Sequence, residues 1–172
     1  SNYNHYSNDG TWNGSNNQQG THSLTLPDLT VTGSGGYDLD GPELVSIGVT
    51  PTTVAVDGGQ ISLTVNGKDP SGVHYARVGW KGPVNNSGGN IYCTFPGDNP
   101  TSGTCTQTHI FGTGNWRFHG TYEWTDIIIY DRHSNYNHYS NDGTWNGSNN
   151  QQGTHSLTLP DLTVTGSGGY DL

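Results

Sequence analysis

The residues best placed to do chemistry are acids near turns: Asp38, Asp40, Glu43, Asp69 and Asp131, with Asn135 four residues beyond the last. Carboxylates and amides are the oxygen donors that a hard divalent cation prefers. Ca²⁺ fits them best, since it accepts about six to eight such ligands in flexible geometry. Only five residues are basic, namely Lys68, Arg77, Lys81, Arg117 and Arg132, and the formal charge is −9. Acids that converge without cationic partners repel, and a bound ion is the expected resolution. Asp98 is a more distant candidate. The simpler role for Asp69 and Asp131 is to cap turns, as aspartate commonly does. No EF-hand or nonapeptide calcium motif is present.

Other chemistry is weaker. The chain holds eight histidines, but His5 and His22 recur as His138 and His155. His133, His138 and His155 have no compact zinc-ligand spacing and read as polar loop residues. There is no Gly-x-Ser-x-Gly elbow and no His-Glu-x-x-His, and no enzyme is expected. The lack of a basic stripe argues against nucleic acid. No window approaches the roughly 18 apolar residues of a membrane span, and no signal-peptide stretch is seen. Cys93 and Cys105 flank a turn-rich PGDNPTSG, and a hairpin folded about Asn99 would set them opposite each other as a disulfide. Such a bond implies an oxidising, extracellular or periplasmic setting.

These residues must be positioned by strands. Only 28% of the 172 residues are apolar, 11% are charged and 27 are glycine, with β-branched and aromatic runs between Gly, Asn and Pro clusters, so the chain reads as all-β. Val45, Ile47 and Val49 alternate in one strand and Ile61, Leu63 and Val65 in the next. Ala76, Val78 and Trp80 share a face. Ile91, Cys93 and Phe95 follow, then a strand from about Cys105 to Phe111 and the most apolar run, Thr121 to Tyr130. A seventh strand, Leu157 to Val164, is expected to carry a bulge at Pro160. Seven strands in this span are the pattern of an immunoglobulin-like antiparallel β-sandwich. In that fold the acids gather at one pole.

Residues 1–39 recur letter for letter as 134–172, a period of 133. The chain is thus expected to be a piece of a tandem array. Residues 1–39 are the last loop and strand of a preceding repeat, 40–166 the immunoglobulin-like repeat, and 167–172 the start of the next linker. Residues 1–23 read as loop, residues 24–32 as a strand bulged at Pro27, and Gly33 to Gly36 as a hinge. One copy of the last strand then lacks a body within this chain. Either the chain is a window on a longer array, or segment 1–39 completes a neighbouring molecule by strand addition. The long polar stretch 131–155 reads as a loop in which Tyr136, Tyr139 and Trp145 sit among amides, a mixture suited to sugar rings or a protein partner, or to packing against the next repeat.

VSIGVTPTTVAVDGG, KDPSGVHYARV and TYEWTDIIIYDRHSN resemble phrases of the bacterial immunoglobulin-like repeats of very large surface proteins and adhesins. There an SPTTVDV-like opening precedes an ATDDxSGV-like loop and a DNAGN-like loop, followed by a strand ending near TVTG. The resemblance covers about residues 38–166. It implies an exported, non-enzymatic structural repeat at the cell surface, often stiffened by calcium at its inter-domain joints. This chain departs from the pattern at Asp131-Arg132-His133-Ser134-Asn135, in the length of the following stretch, and in having Cys93 and Cys105.

Overall fold

The computed structural model describes residues 2–25, 38–98 and 100–166. The expected strand over 24–32 falls mostly, and the hinge at Gly33–Gly36, the hairpin tip at Asn99 and the linker 167–172 fall wholly, outside the described residues. The chain divides into two compact units, Ser1–Gly36 and Tyr37–Leu172.

The opening stretch is not a loop. It forms a three-stranded antiparallel meander of β1 (Asn4–Tyr6), β2 (Thr11–Gly14) and β3 (Gln18–Thr21). An Asp-Gly turn starts it. Gly10 adopts φ +82°, a left-handed conformation open to glycine, and the Asp9 carboxylate accepts from the Thr11 amide at 3.0 Å and from its hydroxyl. His22 then ties the third strand back, its Nε2 lying 2.8 Å from the Ser7 carbonyl oxygen.

The second unit is an all-β, two-sheet fold whose side chains alternate between core and solvent. One sheet runs in the order β4 (Glu43–Thr50), β6 (Gln60–Lys68), β9 (Ser102–Ile110), all antiparallel. In β6 the period of two puts Ile61, Leu63 and Val65 inside and polar neighbours outside. In β4 the expected alternation of Val45, Ile47 and Val49 is broken. A register shift between Leu44 and Ser46 turns Leu44 inward and leaves Val45 exposed.

The opposing sheet is built on β10 (Gly120–Asp131). One edge of β10 pairs with β7 (Val73–Lys81), which in turn pairs with β8 (Gly88–Thr94). Its other edge is shared. Gly120–Tyr122 pair with β14 (Leu162–Thr165), while Asp126–Tyr130 pair with β11 (Tyr136–Ser140). Between these two partners Asn141 fills the gap, donating from its backbone to the Thr125 carbonyl and from its side chain to the Trp124 carbonyl, both at 3.1 Å. β14 also pairs with β5 (Thr53–Ala55), and that pair is parallel.

Residues 131–155 are therefore a second meander rather than a loop: β11 continues through β12 (Thr144–Gly147) and β13 (Gln152–Thr154) and widens the sheet. The seventh strand is shorter than its sequence suggested. Residues 155–161 are not strand, so Pro160 lies before the ladder instead of bulging within it.

The two sheets close over a core of Leu63, Val65, Val78, Ile127, Ile129 and Leu162, each contributing about 1.5–3 kcal/mol by burial. Cys93 and Cys105 are bonded, with Cα atoms 5.8 Å apart. They are not cross-strand partners in a hairpin, however. Cys93 pairs with Ala76 in one sheet and Cys105 with Val65 in the other, so the bond staples the two layers.

Candidate metal centre and adjoining cleft

The turns after β6 and β10 bring two aspartates to one pole. Asp69 follows the end of the first, and its Oδ1 accepts from the Ser71 amide at 2.8 Å and hydroxyl at 2.6 Å. Asp131 closes β10, and its Oδ1 accepts from the His133 amide at 2.8 Å and the Asn135 amide at 2.7 Å. Both are thus turn caps. They are also almost wholly buried, at 4% and 1% exposure, which a surface cap does not require.

Asp38 joins them. One carboxylate oxygen from each of Asp38, Asp69 and Asp131 lies within 4.8 Å of the others. The Asn135 side-chain amide locks the approach, donating to the Asp131 Oδ2 at 2.8 Å and to the Asp38 carbonyl oxygen at 2.9 Å. The Ser71 hydroxyl is also 3.2 Å from Asp131 Oδ2. Asp38 Oδ2 is buried with no hydrogen-bond partner, which is costly for a carboxylate oxygen. Burial, with the neighbouring Asp38 and Asp131 charges adding, holds the Asp69 carboxyl above its ordinary pKa against the opposing hydrogen bonds from Ser71. An all-oxygen donor set with one unpartnered buried oxygen suits a hard cation such as Ca²⁺.

The other sequence-expected ligands go elsewhere. Asp40 turns toward the meander, where its Oδ1 accepts from Gln151 Nε2 at 2.8 Å and Asn149 Nδ2 at 3.2 Å. Glu43 pairs with Lys68 at 2.9 Å. Asp98 is fully exposed, with Arg132 3.9 Å away. The histidines are not gathered. His133 stands beside Asp131, His138 beside Asp126, and His155 binds the Ser140 carbonyl. Among the described residues the three aspartates form the only such metal-type cluster.

Beside the cluster opens a cleft of about 690 Å³. Asp38, Asp69, Glu43 and Lys68 line it together with Tyr139, Trp145 and Gln151 of the meander. Tyr139 is a buried anchor rather than an open stacking surface. Its hydroxyl accepts from the Leu44 amide at 3.3 Å, and its ring stacks on Trp145 with centroids 6.1 Å apart. Tyr136 faces away from both. It lies 5.9 Å from Tyr130, which stacks on Tyr75 at 4.6 Å, which neighbours Tyr92 at 6.4 Å. Sequence pattern alone does not reveal this tyrosine row, because Tyr75 and Tyr92 become neighbours only through the β8-β7-β10-β11 order. The meander is likewise absent from the sequence-based expectation. Its signal is Asp142-Gly143 between Tyr139 and Trp145, an Asp-Gly hairpin turn flanked by aromatics.

Comparison with family models, curated proteins and solved structures found no match for this chain. No helix among the described residues is long and apolar enough to cross a membrane.

Proposed function

We propose that the chain is a repeat module of the bacterial immunoglobulin-like kind, part of an extracellular fibre or large surface protein, with calcium stiffening the approach to each unit. The observation that carries this reading is the convergence of Asp38, Asp69 and Asp131, with the Asp38 Oδ2 buried and unpartnered. Asp38 stands at the opening of the second unit and the other two in its turns, so an ion held by all three ties that opening segment to the rest of the unit. Asn135 positions two of the three. The module acts by length and stiffness, and the repeat of period 133 is what such a role tolerates. The inter-sheet disulfide suits an oxidising exterior.

Calcium at a hundredfold excess over its dissociation constant is expected to stabilise the fold by about 2.7 kcal/mol, by mass action. Thermal melting with calcium and with a chelator measures this, and coincident transitions would reject the ion. The variant Asp69→Asn, which removes one of three converging charges, is expected to melt higher than the parent in chelator and to lose the calcium shift.

A pH dependence follows. Because Asp69 has a raised pKa when folded, the folded state holds its proton more tightly than the unfolded state. Metal-free stability from this group therefore falls as pH rises from the ordinary carboxylate range through the raised value. Calcium, which binds the ionised form, should reverse that slope. Melting followed between acid and neutral pH, with and without the ion, tests the sign.

A second reading, a carbohydrate- or surface-binding repeat, draws on the cleft walled by Trp145, Gln151 and the acids. An aromatic face beside amide and carboxylate groups suits a sugar ring. Binding on a glycan array that is lost in Trp145→Ala would favour it; an array blank at high protein concentration would leave the spacer.

A further inference from the structure

A hollow of about 390 Å³ opens on the first unit, lined by Asn2, Tyr3, Asn4, Ser15, Asn16 and Gln18. Each of these residues has a twin 133 positions on. In the second copy the twins hold a piece of chain, Asp38 to Pro42. Asn135 donates to the Asp38 carbonyl at 2.9 Å, and Asn137 to the Gly41 and Pro42 carbonyls at 3.0 and 2.9 Å. Gln151 and Asn149 both donate to the Asp40 Oδ1, at 2.8 and 3.2 Å. Gly41 lies so close to the Tyr136 and Asn137 backbone that a Cβ would overlap it. Ser148 takes no part in this, since its hydroxyl accepts from the Tyr136 amide.

The first copy keeps the same local fold without the held segment. Gly10 and Gly143 share φ values of +82° and +86°, and Asn16 and Asn149 share +62° and +63°. Ser15 accepts from the Tyr3 amide at 2.9 Å, the distance found for Ser148 and Tyr136. The donors therefore stand in one arrangement in both copies. In the first, however, Asn2, Asn4, Asn16 and Gln18 are exposed, and their side chains make no hydrogen bond among the described residues.

We infer that this hollow is a peptide-binding site for an extended Asp-x-Asp-Gly-Pro segment of another polypeptide. The chemistry of the hollow selects that ligand. Four side-chain amides offer donors to main-chain carbonyls and to one carboxylate, and no charged residue lines the hollow to repel the acid. Proline adds an acceptor and no donor that would need a partner. Glycine is required, because the main chain of a tyrosine and an asparagine leaves its twin site no room for a side chain. Asp40-Gly41-Pro42 occurs once in this sequence and is already held by the second copy, so the occupant comes from elsewhere. The inference goes beyond the spacer reading and makes no use of its cation.

The test titrates the full, isotope-labelled chain with a capped peptide of residues 38–44, DLDGPEL, followed by amide NMR shifts. It is done in chelator, so that the calcium reading and this one fail separately. Shifts are expected at Asn4, Gln18 and their neighbours, saturating in the millimolar range, with residues 137–151 unmoved. Peptides carrying Asp40→Ala or Gly41→Ala should bind at least about tenfold more weakly. The chain variant Asn4→Ala/Gln18→Ala should lose the shifts and keep its melting temperature. If that variant does not fold, the peptide substitutions decide, since they leave the protein untouched. No shift at several millimolar peptide overturns the inference. Shifts in the second copy in place of the first, or undiminished binding of the Gly41→Ala peptide, overturn it equally.

Discussion

Gly41→Ala is expected to strip the second meander from its body. A Cβ at this position would fall inside contact distance of the Tyr136 carbonyl carbon and oxygen and of the Asn137 amide nitrogen, all backbone atoms that cannot rotate away. The main chain of β11 would have to retreat from the 41–44 segment. That retreat takes the two Asn137 hydrogen bonds and the Leu44–Tyr139 contact with it. Overpacking costs about 1–3 kcal/mol where neighbours can adjust, and here the lost buried hydrogen bonds add about 1 kcal/mol each. A loss of at least about 3 kcal/mol is expected, close to 10 °C in melting temperature for a unit of this size. Gly48→Ala is the control: it lies in the neighbouring β4 in open space, with no atom within 4 Å of where a Cβ would stand, and should stay within about 0.5 kcal/mol of the parent. Chemical denaturation of both, followed by intrinsic tryptophan emission, separates them. Equal midpoints would show that the meander does not depend on this approach.

Replacing Cys93 and Cys105 together by alanine is expected to cost about 3 kcal/mol. The bond closes a separation of 12 residues, for which restriction of the unfolded chain alone is worth close to that amount. Its position adds to the loss. Both residues are buried, opposite Ala76 in one sheet and Val65 in the other, so alanine also leaves unfilled space between the layers. Because the two sheets share no strand-to-strand ladder at this point, the bond is the local cross-link. Equilibrium unfolding of the double variant measures the effect. A change below about 1 kcal/mol would mean that the core alone sets the layer spacing there.

Much of the body was legible in the sequence because several of its strands are long and carry runs of period-two alternation. In β6, β7 and β8 the inward set of Ile61, Leu63, Val65, Ala76, Val78, Trp80, Ile91 and Cys93 is the set that period-two reading selects. The meander was not legible in that way. Its strands are three to five residues long and made largely of Asn, Ser, Thr and Gly, and what fixes them is local: an Asp-Gly turn, a serine under a tyrosine amide, and a histidine that binds two turns back. Apolar periodicity carries none of that information. The acidic cluster was half legible. Turn positions placed Asp69 and Asp131 together, because a strand end is a strand end in any sandwich. Asp40 and Glu43 were misplaced because their partners, Gln151 and Lys68, come from segments far away in sequence.

The parallel pairing of β5 with β14 carries a mechanical consequence. Thr163 and Val56 donate across it at 2.7 Å each, and the Thr165 hydroxyl reaches the Val54 carbonyl at 3.2 Å. Tension applied through the chain would draw the start of β5 one way and the end of β14 the other. Parallel neighbours hauled apart lengthwise bear the load on all their bonds at once, in shear, whereas a hairpin would unzip one rung at a time. Under such tension this ladder of only three rungs would load all of them together.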